Sequence, residues 1–284
     1  MCIIYRQRRA CLYLKQEKDK DITMEDKNST IETVFVKQFE ADVHIAYQQM
    51  GTKLRSTVRS KSNVVGSATT FQRIGKGTAA QKSRHGIVPV MNLNHEPVDC
   101  VLHDYYAGDW VDALDELKTN ADERRIVASA GAYALGRKTD ELILDALETS
   151  NNIVKSGKNI KETILAMISF LNEHEVPDDG RRFCIVNVKH WNELLELGIN
   201  EAADIDGSTA IKWLGVNFIL HHSADAMYMY HQSAVGHACG QDVKTDISWH
   251  GERAAHFICN SMSQGACIID QDGVVKTNKE TKGK

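Results

Sequence analysis

The longest uninterrupted helical pattern in the chain runs from Thr119 to Glu148, TNADERRIVASAGAYALGRKTDELILDALE. Val127, Ala130 and Ala134 share one stripe with Gly131, and beyond Arg137 and Lys138 a second, offset stripe passes through Leu142, Ile143, Ala146 and Leu147. Asn120 with Glu123 three residues on makes a capping pair, and Asp122 and Glu123 put negative charge on the positive end of the helix macrodipole. At 1.5 Å per residue such a helix is roughly 45 Å long, well above the three or four turns usual in a compact domain. Its middle, AGAYALG, carries little side-chain volume. Another backbone can lie close there, despite a helix-propensity cost of about 1 kcal/mol per glycine.

Upstream, Val36, Phe39, Val43, Ala46, Tyr47 and Met50 fall at helical spacing between Thr33 and Leu54, predicting an amphipathic arm that needs a partner surface. From Val58 to Tyr106 the pattern becomes β-branched and glycine-rich: NVVGSATTFQRI, GKGTAAQKSRHG, IVPVMNL and, after Pro97, VDCVLHDYY. Two strand-like runs around a long polar connection predict an extended hairpin, with Pro89 tolerable only on an edge. The tip of such a hairpin has almost nothing to bury within its own chain, so it needs a surface to lie on.

Downstream of the long helix, SNNIVKSGKN reads as a loop, and Asn159 with Glu162 caps a predicted helix carrying Ile160, Ile164, Met167, Ile168 and Leu171. Pro177 and DDG end it. Phe183–Val186 predicts a buried strand, KHWNELLEL a short helix stopped at Gly198, and LGVNFILH a strand alternating Leu214, Val216, Phe218 and Leu220. From Met227 the chain returns to strand-like runs, MYMYH, VKTDISW and GACIIDQDGVVKT, with a QDG turn at 271 to 273. The expectation is an α/β block inserted between β segments, with the last strands returning beside the first domain.

A length of 284 residues with 42% hydrophobic content suits one large or two medium globular domains. Residues 1–32 join a basic start to the charged run KQEKDKD and a polar leader; they are expected to be a disordered tail or a misassigned start, with Met24 the favoured true start. No run of 18 apolar residues occurs, which excludes a spanning helix. The seven cysteines show no CxxC pair and no framework spacing, predicting free thiols and no disulfides.

Charge is strongly segregated. Between Val43 and His95 stand eight Lys and Arg and no acid, a net of +8; from Glu96 to Thr149 thirteen acids oppose five bases, a net of -8. Oppositely charged blocks of equal size suit head-to-tail contact between copies, the kind of interface that repeats and closes into rings. The competing reading is a basic hairpin that contacts phosphates, as in a soluble nucleic-acid-binding protein. It is weakened because only Phe71 interrupts the basic stretch with an aromatic platform.

Catalytic vocabulary is sparse. His221, His222, His231, His237, Cys239, His250 and His256 supply zinc-type ligands but lack HExxH or any paired spacing, so a zinc enzyme is the third and weakest reading. GKGTAAQK at 75 to 82 lacks the spacing of a phosphate loop, and Asp178 and Asp179 sit in a predicted turn. Neither a catalytic residue nor a metal or cofactor site is assigned.

Four stretches in order, YYAGDWVDALDELKTNADERR (105–125), AGAYALGRKTDELI (130–143), SAVGHACGQDV (233–243) and GACIIDQDGVV (265–275), carry a resemblance that spans about Thr33 to Thr277. The chain resembles the major capsid proteins of tailed bacteriophages with the Hong Kong 97 type fold. The resemblance implies an α+β fold: an N-terminal arm (33–57), an extended E-loop hairpin (58–98), a peripheral domain (99–152) with a spine helix (120–148), an axial domain (153–225), return strands of the peripheral domain (226–277) and a tail (278–284). It implies a non-enzymatic virion protein, assembled in the host bacterial cytoplasm through hexamers and pentamers into an icosahedral shell around double-stranded DNA. Its partners would be other copies of itself, a separate scaffolding protein, a portal protein and the packaged DNA, with no membrane.

On this view the E-loop residues Arg73, Lys76, Lys82 and Arg84 meet the acidic residues Asp109, Asp112, Asp115, Glu116, Asp122 and Glu123 of a neighbour. Some members of the family crosslink a loop lysine to an asparagine. Lys76, Lys82 and Asn260 are present, but no motif pins them to that role, and noncovalent contacts are expected. His237 and Cys239 stand where the family pattern leads one to expect apolar residues.

Overall fold

The computed structural model describes residues 51–114, 123–155, 157, 159–197, 202–205 and 208–279. In chain order its elements are β1 (Arg59–Lys61), β2 (Ala68–Ile74), β3 (His95–Val101), β4 (His103–Asp112), α1 (Glu123–Glu148), β5 (Ile153–Val154), α2 (Ile160–Glu173), β6 (Arg182–Val186) and α3 (Val188–Glu196). They continue with β7 (Ala202–Ile205), β8 (Ser208–Trp213), β9 (Val216–Leu220), β10 (Tyr228–His231), β11 (Val235–His250), β12 (Ala255–Ile268) and β13 (Val274–Thr277). The strands make a seven-stranded sheet in the order β5-β13-β10-β6-β9-β8-β7, a four-stranded sheet in the order β1-β11-β12-β4, and the two-stranded β2-β3 ribbon. The chain divides into two compact units: among the described residues one comprises 109–114, 123–127 and 248–258, and the other comprises the rest.

The larger unit is built on the two-residue period of the seven-stranded sheet. Strand β6 is buried along its whole length, pairing antiparallel with β10 and parallel with β9. Alternate residues therefore face opposite sides. Phe183 and Ile185, with Tyr228 and Tyr230 of β10, pack against Ile143, Leu144 and Leu147 of α1. On the other face Cys184, Val186 and Met229 meet Ile164, Met167 and Leu171 of α2 and Leu194 of α3. Each such side chain contributes roughly 1.5–3 kcal/mol on burial, so the two faces hold the sheet between helices.

Helix α1 is fastened by a polar contact. Asp140, fully buried, accepts hydrogen bonds at Oδ1 from the backbone N–H groups of Lys53 (3.1 Å) and Leu54 (3.1 Å) and from the Thr52 hydroxyl. His221 Nε2 lies 3.4 Å from Oδ2, too poorly aligned for a hydrogen bond but close enough to act electrostatically. Burial pushes the Asp140 carboxyl up, whereas the His221 ring, the Thr52 hydroxyl and the two N–H groups pull it down by more; its pKa ends below the usual carboxylate value. The small-residue middle of α1 admits the same segment: a Cβ on Gly136 would lie 2.7 Å from Gly51 Cα. Beyond the clasp, Leu54 and Val58 enter the core under β10, and Thr57 Oγ1 meets the Tyr230 hydroxyl at 2.5 Å.

The smaller unit is local and aromatic. Ala113 N donates to Ala254 O (3.2 Å), and the Arg253 guanidinium sits 4.4 Å from the Trp110 ring centre. Trp110 also touches Phe257 and His250, with ring centres 4.6 and 5.0 Å apart.

Several expectations need correction. The hairpin proper is 68–101 rather than 58–98, because Arg59–Lys61 instead runs parallel to β11. IVPVMNL forms no strand, and the proline within the ribbon is Pro97, opposite Gln72, on a strand with only one neighbour. Asn159 makes no side-chain cap, whereas Asn187, not anticipated, caps α3 by accepting from His190 N. Residues 214–220 do not alternate: Leu214 occupies a turn at φ 49°, and Val216 to Ile219 are all buried because β9 lies inside the sheet. Strands β11 and β12 join the sheet that holds β4, but β10 and β13 belong to the seven-stranded sheet, so the QDG turn carries the chain from one sheet to another. The helical arm of 33–54 lies outside the described residues except for 51–54, which are not helical, and the Asn120 cap also lies outside them.

Asp140→Asn keeps size but removes the charge, and should lower unfolding free energy by roughly 2–3 kcal/mol in denaturant titration. Because the folded pKa is depressed, the native carboxylate's contribution is present above the unfolded value of about 3.9 and is lost as pH falls through the folded value. The variant should therefore show a shallower loss of stability below about pH 4. Gly136→Ala, which would gain about 1 kcal/mol in a free helix, should instead destabilise the protein, since the added Cβ would lie 2.7 Å from the Gly51 backbone that the Asp140 clasp holds.

Candidate assembly surfaces

The β2-β3 ribbon projects from a defined root. Phe71 and Cys100, on alternate positions of its two strands, are buried with Leu102, Ala238 and Ile269. A Cβ on Gly265 would lie 2.0 Å from Val101 O, so β3 crosses β12 at a distance only glycine permits.

Charge reinforces this root. Arg73 reaches Glu96 (3.4 Å), Asp270 (3.0 Å) and Asp272 (3.2 Å), and Lys76 Nζ donates to Glu175 Oε2 (2.6 Å) and His174 O (3.3 Å). Gly75 N closes the ribbon on Asn94 O at 2.8 Å. Two of the four basic residues assigned to a neighbour are thus engaged by their own chain. Such exposed pairs are worth about 0–1 kcal/mol each, enough in concert to orient the ribbon.

Past Gly77 the connection stands in solvent. Lys82 and Arg84 are exposed with no ionic or hydrogen-bonded partner among the described residues. Beside them Ile87 is 94% exposed and Val90 79%. Four exposed apolar side chains, Ile87, Val88, Val90 and Met91, follow directly on two unpaired cations. A monomer in water gains nothing from such a segment.

The acidic surface is only partly that expected. Asp109 and Asp112 are exposed on β4, where each accepts a local backbone N–H at 2.8 Å, from Trp110 and Leu114. Glu123 opens α1; Asp115, Glu116 and Asp122 lie outside the described residues. A second acidic strip, not singled out in sequence, runs along α1 through Glu141, Asp145 and Glu148, one helical turn apart. Burial, then the neighbouring Glu141, pushes the Asp145 carboxyl up. The strip borders a groove of about 530 Å³ that is also lined by Arg137, His222 and Tyr228. The i, i+4, i+7 spacing was the available signal.

The histidines do not converge. His221 stacks on His222, His256 lies against Trp249, and His237, fully buried, shares Gln264 Oε1 with Thr139. His231 links Ser233 Oγ (2.7 Å) and Asp179 (3.1 Å), but it also accepts Ser233 N and so caps a turn. Among the described residues no three His, Cys, Asp or Glu side chains are placed to hold a metal ion. Asn260 is fully buried, receiving the Thr245 hydroxyl at 2.5 Å and donating to Ala128 O at 3.2 Å, so it offers no surface amide to a neighbour's lysine.

Solved structures share this fold. A capsid structure of the cyanophage P-SCSP1u superposes with a TM-score of 0.66 at 13% identity, covering 85% of this chain and 92% of that one. A structure from Mycobacterium phage Che8 gives 0.63 at 16% identity over 84% and 94%, and the virus-like particle of Pyrococcus furiosus 0.58 at 15% over 80% and 92%. No curated protein sequence matches the chain. The model of the family described as phage capsid protein matches residues 31–280. The chain therefore belongs to the phage capsid protein family, a structural and non-enzymatic one, and has the α+β Hong Kong 97 type fold of a tailed-phage major capsid protein.

Proposed function

We propose that this capsid protein assembles through hexamers and pentamers into the icosahedral head shell of a tailed phage, enclosing double-stranded DNA. The observation that carries the reading is the solvent-borne loop, in which unpaired Lys82 and Arg84 adjoin exposed Ile87, Val88, Val90 and Met91. Its complement is acidic: Asp109 and Asp112 on β4, Glu123 at the start of α1, and Asp115, Glu116 and Asp122 between them in sequence. The apolar residues supply burial and the charges supply register.

Fold likeness extends to both phage capsids and a virus-like particle, so the fold by itself does not select a cargo. The phage capsid family favours DNA, and a net charge of -4 favours loose, non-specific packing of DNA over a tight grip. A separate scaffolding protein, a portal and assembly in the bacterial cytoplasm complete the reading. Each loop contact is weak, yet several per subunit make a closed shell persistent.

Electron microscopy of the purified protein should show closed shells; a uniformly small, non-assembling particle would overturn the proposal. Lys82→Glu with Arg84→Glu should leave melting of the free subunit unchanged while lowering particle yield about tenfold, equivalent to about 1.4 kcal/mol. Undiminished yield would remove the loop from the interface.

A further inference from the structure

Cys100 of β3 is 1% exposed and Cys267 of β12 is half-buried, and both belong to the small core at the root of the ribbon. A Cβ on Gly265 would stand 3.5 Å from Cys100 Sγ, and Gly265 and Cys267, two apart on one strand, project to the same face. The crossing that needs Gly265 therefore brings the Cys267 thiol against that of Cys100. Both thiols pack in this one cluster, and each acts on the other: the Cys267 S–H pulls Cys100 down, and Cys100 pushes Cys267 up. The other cysteines of the described residues differ. Cys184 is fully buried, and burial alone pushes its thiol up. Cys239 packs on Leu135 and Met262, and Cys259 Sγ faces Asn260 O at 3.9 Å.

We propose that Cys100 and Cys267 are a redox pair whose disulfide locks the root of the loop-bearing ribbon to β12, formed by exchange with a small-molecule disulfide such as oxidised glutathione. The partly exposed Cys267 passes its S–H proton to the Cys100 thiolate and attacks one glutathione sulfur; the S–S bond of the oxidant breaks and one glutathione leaves as thiolate, taking that proton from Cys100. The Cys100 thiolate then attacks the Cys267 sulfur of the mixed disulfide, the second glutathione leaves, and the Cys100–Cys267 bond remains. Two protein thiols are oxidised and one glutathione disulfide is reduced to two thiols. The covalent tie fixes β3 on β12, so it holds the direction of the ribbon while leaving the tip beyond Gly77 free. In a reducing cytoplasm the pair stays open; after release into an oxidising medium it closes.

Peptide mass mapping of the full-length protein after exposure to oxidised glutathione tests this. The expected product is one Cys100–Cys267 linked peptide pair, two hydrogens lighter than the reduced pair and reopened by dithiothreitol. Cys100→Ser should instead accumulate a stable glutathione adduct at Cys267. A wild-type protein in which Cys267 stays a thiol, holds glutathione without closing, or links to a different cysteine or another copy would overturn the proposal. That wild-type map decides even where Cys100→Ser fails to fold.

Discussion

An ionised carboxylate inside the protein sets where the long helix meets the segment that leads into the first strand. Asp140 gathers the Thr52 hydroxyl and the N–H groups of Lys53 and Leu54, donors that would otherwise be orphaned where the chain bends. A buried charge without such donors would be costly by several kcal/mol, so the clasp and the bend at 51–54 require each other. Gly136 against Gly51 brings the backbones close enough for the clasp to form. From that point Leu54 and Val58 run into the core, β1 joins β11, and the ribbon leaves the body on a fixed heading. The helix acts as a beam because this junction holds it to the sheet.

The ribbon combines a stiff base with a soft end. Phe71, the close crossing at Gly265 and the ion pairs of Arg73 and Lys76 fix the root, while everything from Gly77 to Met91 meets water. For a subunit that must meet identical neighbours this division has a physical use. Direction is set within the chain, where it needs no partner; on the proposed function the terminal contact alone is left to association, whose weak individual interactions suit reversible correction during assembly. The cations nearest the root orient the arm, and those nearest the tip remain available to another copy.

Much of this was legible in the chain itself. The long helix, its end at Glu148 and the low volume of its middle followed from periodicity and composition, as did α2, β6, α3 and β13. The ribbon was visible as two β-branched runs about a polar connection, but its bounds were not, because RSK pairs with a strand far away in sequence and carries no local mark of it. Asp140 was counted only as one more acid, since nothing in TDELI distinguishes a clasp from a solvated carboxylate. Lys76 read as a free cation because Glu175, its partner, is remote in sequence. Strand β9 read as alternating because flanking residues were included in it; its position inside the sheet, which buries both faces, is a tertiary fact. The distribution of β10 and β13 to one sheet and β11 and β12 to another is likewise invisible to any local pattern.

The central claim is that the exposed loop completes its contacts on another copy. It is tested most directly by assembling a mixture of unlabelled and nitrogen-15-labelled protein, treating the particles with a short amine–carboxyl crosslinker, and reading the isotope composition of peptides joined at Lys82. The account predicts links from Lys82 to acidic residues among 109–123, with mixed-isotope pairs as frequent as random pairing of copies allows. Links confined to pairs of a single isotope, showing the loop folded onto its own body, would contradict it.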